Sequence, residues 1–179
     1  MNSGKISIRY AKALLGFGEK NGEADKVYQE MQLVNAAFEA APLLQEILET
    51  PGLSQQEKTD LLKAILGDRK ASKSTTAFFN FVVEQRREQS MHMIALMYEK
   101  LYREAHNLLK GELKTAVELP KATIQKIENF VNKRYGATVE LTTKTDQSLI
   151  GGFVLDVNDE RLDASIVGQL SKLNSYAGH

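Results

Sequence analysis

Residues 144–173 read KTDQSLIGGFVLDVNDERLDASIVGQLSKL, and the order within this run decides what the chain can fold into. A glycine pair, Gly151 and Gly152, opens an alternation that puts Phe153, Leu155 and Val157 on one face and Val154 and Asp156 on the other. That two-residue period is a strand, entered through a corner that the glycines make flexible. Asn158-Asp159 tolerates positive φ, so the chain is expected to reverse there and return through Arg161 and Leu162 as a second short strand. Asp163 ends the hairpin and can cap the next helix. From Ala164 the period lengthens, with Ile166, Leu170 and Leu173 at i, i+4 and i+7, which predicts a short helix laying one stripe on the sheet. No catalytic side chain is needed to account for any of this.

Upstream of that run the same alternation continues. Leu113, Thr115, Val117 and Leu119 alternate with Glu112, Lys114, Ala116 and Glu118, a half-buried strand that Pro120 stops. Pro120 also suits a helix start, Ile124, Ile127 and Val131 give that helix a buried stripe, and Gly136 ends it before Val139 and Leu141 begin another strand. Strand, helix, strand, hairpin strand, helix predicts a small α/β sheet domain. The period changes from helical to alternating near Asn107 to Gly111, which places a domain boundary there: 1–106 and 107–179.

The first part carries six helical patterns. Residues 6–20 show Tyr10, Ala13, Leu14 and Phe17 on one face and Ile8, Ala11 and Leu15 on a neighbouring one. Gly16 and Gly18 weaken this helix locally but permit close approach by another. Residues 24–41 bury Val27, Met31, Val34 and Phe38, and Pro42 breaks the pattern before a short helix over 43–49. Ser54-Gln55-Gln56-Glu57 is a capping box for a fourth helix with Leu61, Leu62, Ile65 and Leu66 inside and Gly67 as its stop. A polar loop over 70–74 leads to an aromatic helix over 75–89, and Ile94, Met97, Tyr98, Leu101 and Ala105 mark a sixth. Six helices joined by short loops make an antiparallel bundle the economical arrangement, so the fold class is mainly α with a small C-terminal α/β part.

Composition narrows the function. Lys plus Arg and Asp plus Glu are both 23, and 14 of each sign fall in residues 1–105, so neither part gathers nucleic acid or anionic lipid by its field. A nucleic-acid-binding adaptor using the C-terminal domain is therefore the weaker alternative. The absence of cysteine removes disulfides, thiolate nucleophiles and Cys-based zinc sites together. No apolar run approaches the roughly 20 residues that span a bilayer, and the start lacks the apolar core of a signal peptide, so the chain reads as soluble and cytoplasmic. Asp156-x-Asn158-x-Glu160 has a faint likeness to a calcium loop, but Arg161 occupies the glycine position and Val167 the twelfth. Gly16, Gly18 and Gly22 have the wrong spacing for a dinucleotide fingerprint. His92, His106 and His179 stand singly, with surface or helix-end positions as their default. Arg86-Arg87 is most simply a helix-end complement. No catalytic, cofactor or metal site is expected.

What remains is apolar surface in excess of a bundle helix's needs. The first helix (Tyr10, Ala13, Leu14, Phe17) and the fifth (Phe78, Phe81, with Gln85 one turn on) each offer a second stripe. Either both helices are central and buried all round, or the stripes lie exposed side by side as a groove for an amphipathic partner helix.

The run Asp146 to Phe153, the hairpin, and Leu162-Asp163-Ala164-Ser165-Ile166 together closely resemble the C-terminal signature of the delta subunit of bacterial F-type ATP synthases, equivalent to the mitochondrial oligomycin-sensitivity-conferring protein. Residues 8–14 (IRYAKAL) and 78–87 are similar to that family's first and fifth helices. One departure is the hairpin turn, which often carries glycine in the family and here is Asn158-Asp159. The resemblance implies a non-catalytic stator subunit, one copy per complex, peripheral on the cytoplasmic face of the bacterial plasma membrane and touching the membrane only through partners. It implies that Tyr10, Ala13, Leu14, Phe17, Phe78, Phe81 and Gln85 bind the N-terminal helix of an α subunit. It further implies that the C-terminal domain, shaped by Gly151, Gly152, Leu162, Asp163, Ser165 and Ile166, engages the b subunits of the peripheral stalk. Rotor torque would then drive ATP synthesis coupled to proton transport, with no cofactor or small-molecule substrate on this chain.

Overall fold

The computed structural model describes residues 3–67, 70–158 and 160–166. The chain divides into two units, Met1–Ala105 and His106–His179. The first contains helices α1 (Ser3–Lys20), α2 (Ala24–Ala40), α3 (Leu43–Glu49), α4 (Gln55–Ala64), α5 (Lys73–Glu84) and α6 (Met91–Ala105), with one 3₁₀ turn over Glu88–Ser90. Helix α6 is its spine: Met91, Ile94, Ala95 and Tyr98 are all fully buried, and α1 and α2 pack along it. The Tyr98 hydroxyl donates to the Ala24 carbonyl at 3.2 Å, and burial pushes this phenol's pKa up.

The buried stripe of α1 differs from the apolar pattern. Ser7, Ala11 and Leu14 are buried, and Gly18 is buried with them, because small residues let α1 lie close to its neighbours. A Cβ on Gly18 would lie 3.3 Å from Ala24 Cα and 3.6 Å from the Tyr98 hydroxyl. Ile8, expected on an inner face, is 40% exposed, and Leu15 is half-buried. Helix α1 closes in a Schellman motif, with Gly22 (φ 66°) as the left-handed residue and bonds from Glu23 N to Gly18 O and from Gly22 N to Glu19 O.

Helix α5 ends five residues before the sequence pattern suggested. Arg86 takes φ 53°, and Arg87 N to Val82 O with Arg86 N to Val83 O closes the same motif without a glycine. The 3₁₀ turn then leads into α6, which starts at Met91 rather than near Ile94. His92, with a surface or helix-end position as its default, lies in the first turn of α6, half-buried and stacked on Phe38 with ring centroids 5.1 Å apart. The capping box forms as expected: Glu57 N donates to Ser54 Oγ and Ser54 N to Glu57 Oε2.

The second unit holds a four-stranded mixed sheet in the order β2-β1-β3-β4. Strand β1 (Leu108–Thr115) and β2 (Thr138–Thr145) are parallel, joined by α7 (Lys121–Tyr135); β3 (Phe153–Val157) is antiparallel to β1, and β4 (Glu160–Asp163) antiparallel to β3. Leu113, Val131, Val139, Leu155 and Val157 form the core under α7, with Ile127 and Phe153 packed against it. Asn158, at φ 51°, turns the hairpin as its composition predicts.

Strand β1 begins at Leu108 and stops at Thr115, four residues earlier at each end than the alternation from Glu112 to Leu119 suggested. Val117 is 66% exposed, and the Thr115 hydroxyl donates to the Val117 carbonyl at 2.8 Å, turning the chain out of the sheet. Gly111, expected at the domain boundary, sits mid-strand. A Cβ there would come within 2.6 Å of Leu141 Cδ2 and 3.1 Å of Val139 Cγ1, so glycine serves packing rather than a linker.

Candidate functional site

Helices α1 and α5 run in opposite directions, since Asn21 Nδ2 donates to Ser74 Oγ at 2.9 Å while Tyr10 packs on Phe78 and Phe81. Between them lies an apolar trough of about 240 Å³ lined by Ala13, Leu14, Phe17, Ala77, Phe78 and Phe81. Leu14 and Phe78 form its buried floor. Phe17 and Phe81 stand 43% and 46% exposed as its walls, and Ala13 and Ala77 are exposed beside them. An antiparallel pair of helices normally closes such a gap with a third element; here the described residues leave it open.

The residues singled out from sequence divide accordingly. Tyr10 is half-buried one turn before the lining residues, edge-on to Phe78 at 6.5 Å and tilted against Phe81 at 5.6 Å, so it orders the aromatic wall and does not line the trough. Gln85 is the exposed C-cap residue of α5 and is not among the lining residues. Ala77 lines the trough and was not anticipated. Its place one turn before Phe81 was the available signal, but alanine carries little weight in an apolar pattern.

A polar latch sets α5 in place. Ser72, the N-cap of α5, accepts from Thr75 N at 3.0 Å and donates through N and Oγ to buried Glu30, each at 2.7 Å. Glu23 accepts from Ser74 N at 2.8 Å and Ser74 Oγ at 2.6 Å. Two carboxylates from α2 and its entry thus satisfy the first amides of α5 and favour its dipole. Ser72→Ala is expected to cost roughly 3 kcal/mol, because it removes both the cap and a charge-assisted bond to a buried carboxylate. Ser54→Ala, an exposed cap, should cost about 1 kcal/mol. Urea midpoints of the two variants check the difference, and equal shifts would contradict it.

The Ser74 hydroxyl, and then its amide, hold the Glu23 carboxyl below its ordinary pKa. A depressed folded value means that this contribution is present above the unfolded carboxylate pKa and is lost as pH falls through the folded one. The stability advantage of the native chain over Glu23→Gln should therefore be full near neutrality and shrink below about pH 4.5. Chemical denaturation of both across that range tests it; a gap unchanged by acid would contradict the assignment.

In the second unit, the glycine pair is a site of close backbone approach rather than a loose corner. A Cβ on Gly152 (φ 79°) would lie 2.3 Å from the Ala164 carbonyl oxygen and 2.9 Å from Ser165 Cα; one on Gly151 would meet Ile166 Cδ1 at 2.7 Å. Ala164 N bonds Phe153 O and Ile166 N bonds Gly151 O. Asp163 accepts from Ser165 N at 2.9 Å and Ser165 Oγ at 2.6 Å, and most of the helix it was expected to cap falls outside the described residues. Leu162 and Ile166 are 37% and 46% exposed; Leu170 and Leu173, expected to continue a helix, lie outside the described residues. The sheet face opposite the core carries alternating charge, with Lys114 and Lys144 both paired to Glu112, and Asp156 paired to Lys114 and Arg161.

The described residues thus present an open apolar trough on the helical unit and paired charges on the sheet unit. Among the described residues no group of three His, Cys, Asp or Glu could hold a metal ion, and no helix is long and apolar enough to cross a membrane. Residues 6–176 match the family model of the ATP synthase delta (OSCP) subunit. The chain is 39% identical over 174 residues to the ATP synthase subunit delta of Bacteroides fragilis, covering 97% of this chain and 94% of that one. The subunit delta of Desulfovibrio desulfuricans is 33% identical over 171 residues, covering 94% and 93%. A chain of the Toxoplasma gondii mitochondrial ATP synthase hexamer shares the fold at a TM-score of 0.63 and 23% identity, covering 99% of this chain and 97% of that one. This chain belongs to the ATP synthase delta (OSCP) subunit family.

Proposed function

We propose that this chain is the non-catalytic stator clamp of a bacterial F-type ATP synthase. Its first unit, a six-helix antiparallel bundle, holds the N-terminal helix of an α subunit in the α1/α5 trough, and its second unit grips the b subunits of the peripheral stalk. One copy per complex then keeps the catalytic head still against rotor torque, so that proton transport drives ATP synthesis. The chain works at the cytoplasmic face of the plasma membrane and reaches the membrane only through its partners. The observation that carries this reading is the open trough itself: Phe17 and Phe81 stand nearly half exposed across a buried Leu14–Phe78 floor, in a chain of this family. Helix-in-groove binding needs apolar area and shape, and no reactive side chain.

A nucleic-acid adaptor would need an excess of cations on the second unit, which carries nine charges of each sign over 106–179. On its open sheet face Lys114 and Lys144 are paired with Glu112 and Asp156, and the Lys144 ammonium holds the Glu112 carboxyl in its charged form. The clamp is tested by mixing the catalytic head with the soluble part of the b subunits of the same enzyme, with and without this chain, and sedimenting the mixture. Head and b subunits are expected to travel together only when the chain is present. Co-sedimentation without it, or a chain that binds neither, overturns the reading.

A further inference from the structure

Helix α1 carries a bank of unmatched positive charge beside the trough. Successive helical residues turn by ~100°, so Lys20, Arg9, Lys5 and Lys12 fall within one arc of about 80° that begins immediately beyond Ala13. All four are exposed, and none makes an ion pair among the described residues. Lys20 also complements the C-terminal dipole of α1, whereas the other three have no such local role. The first turn of α1 holds no acidic residue, and neither Lys5, Arg9 nor Lys12 has an acid three or four places away within the helix. Instead Lys5 and Arg9 stand at i, i+4 and Arg9 and Lys12 at i, i+3, arrangements that destabilise a helix on its own. The opposite bank, along α5, is balanced: Lys73 and Glu84 flank Asn80. The trough therefore has one basic side and one neutral side.

Resting on the clamp reading above, we infer that the trough accepts an amphipathic helix whose apolar stripe is flanked, on the side lying over α1, by Asp or Glu residues. The stripe supplies affinity, while the acidic flank fixes which way the helix rolls and which helices are refused. Arg9 and Lys20 are the cations nearest Ala13 by helical spacing and are the specificity-determining pair.

Two synthetic helical peptides of 18 residues, the length of α1, test this on the full chain. They share one apolar stripe and differ only in bearing Glu or Lys along the same flank. The native chain is expected to bind the Glu peptide about tenfold more tightly than the Lys peptide, with the preference shrinking as salt rises. In the Arg9→Glu/Lys20→Glu chain the preference should reverse; the change at position 9 gains attraction to Lys5 and Lys12 while the change at position 20 opposes the helix dipole, so the melting temperature should stay within a few degrees of the native one. Equal affinity for the two peptides, a Lys preference, or a preference indifferent to the double substitution overturns the inference. The N-terminal segment of the α subunit is titrated alongside: if it also fails to bind, the trough reading falls with the inference. If it binds while the designed peptides do not bind or are not distinguished, only the inference falls.

Discussion

Phe81→Asp is expected to weaken binding of the α subunit's N-terminal segment at least a hundredfold while leaving the chain folded. Phe81 is 46% exposed in the free protein, so removing it costs little there. In the complex its ring would be sealed beneath the incoming helix, and a carboxylate in its place would have to lose its water without a partner. The loss of apolar contact and that desolvation together amount to roughly 3 kcal/mol or more, which is a hundredfold in affinity. Phe17→Asp on the facing helix should act alike, being 43% exposed. Phe78→Asp is the contrasting case: at 6% exposure it places a charge on the buried floor and should unfold the unit instead. Calorimetric titration with thermal melting of each variant separates the outcomes. Native affinity in folded Phe81→Asp would show that the helix docks elsewhere.

Gly152→Ala is expected to destabilise the second unit by several kcal/mol. The substitution forces a side chain into the left-handed region, at φ 79°, and drives its Cβ to 2.3 Å from a backbone oxygen. Left-handed strain alone is worth about 1–2 kcal/mol. The clash adds more, because the atoms met belong to the Ala164–Ser165 backbone and cannot swing away as a side chain can. Its effect should fall on the β3–β4 region, where Ala164 N bonds Phe153 O, and should leave peptide binding at the trough intact. Hydrogen exchange of the full chain shows whether protection is lost around 153–164 and kept in α1 and α5. Unchanged protection at β3 and β4 would contradict the account of the glycine pair.

How far the sequence could be read depended on which physical signal each element carries. The hairpin was legible because Asn158 is a residue that tolerates φ 51° and follows a run with Phe153, Leu155 and Val157 at two-residue spacing. The α4 cap was legible because Ser54 and Glu57 form a spaced pair. The end of α5 was not, since Arg86 takes the left-handed position that usually announces itself as glycine. Gly111 misled in the opposite sense, being a glycine demanded by cross-strand crowding. At the trough, Phe17, Phe81 and Phe78 could be named because aromatic residues stand out. Which of them were floor and which wall depended on the antiparallel placement of α1 and α5, and α5 is held at its start by bonds from Ser72 and Ser74 to Glu30 and Glu23 of α2 and its entry. Those bonds span some 40 to 50 positions, and no local pattern signals them.

The account rests on the trough being where the partner helix lies. An NMR titration of the full chain with the α subunit's N-terminal segment tests this residue by residue. The expected result is saturable binding with the largest shifts at Ala13, Phe17, Ala77 and Phe81. Saturable binding that leaves those four unmoved, with shifts gathered on the sheet unit instead, would contradict it.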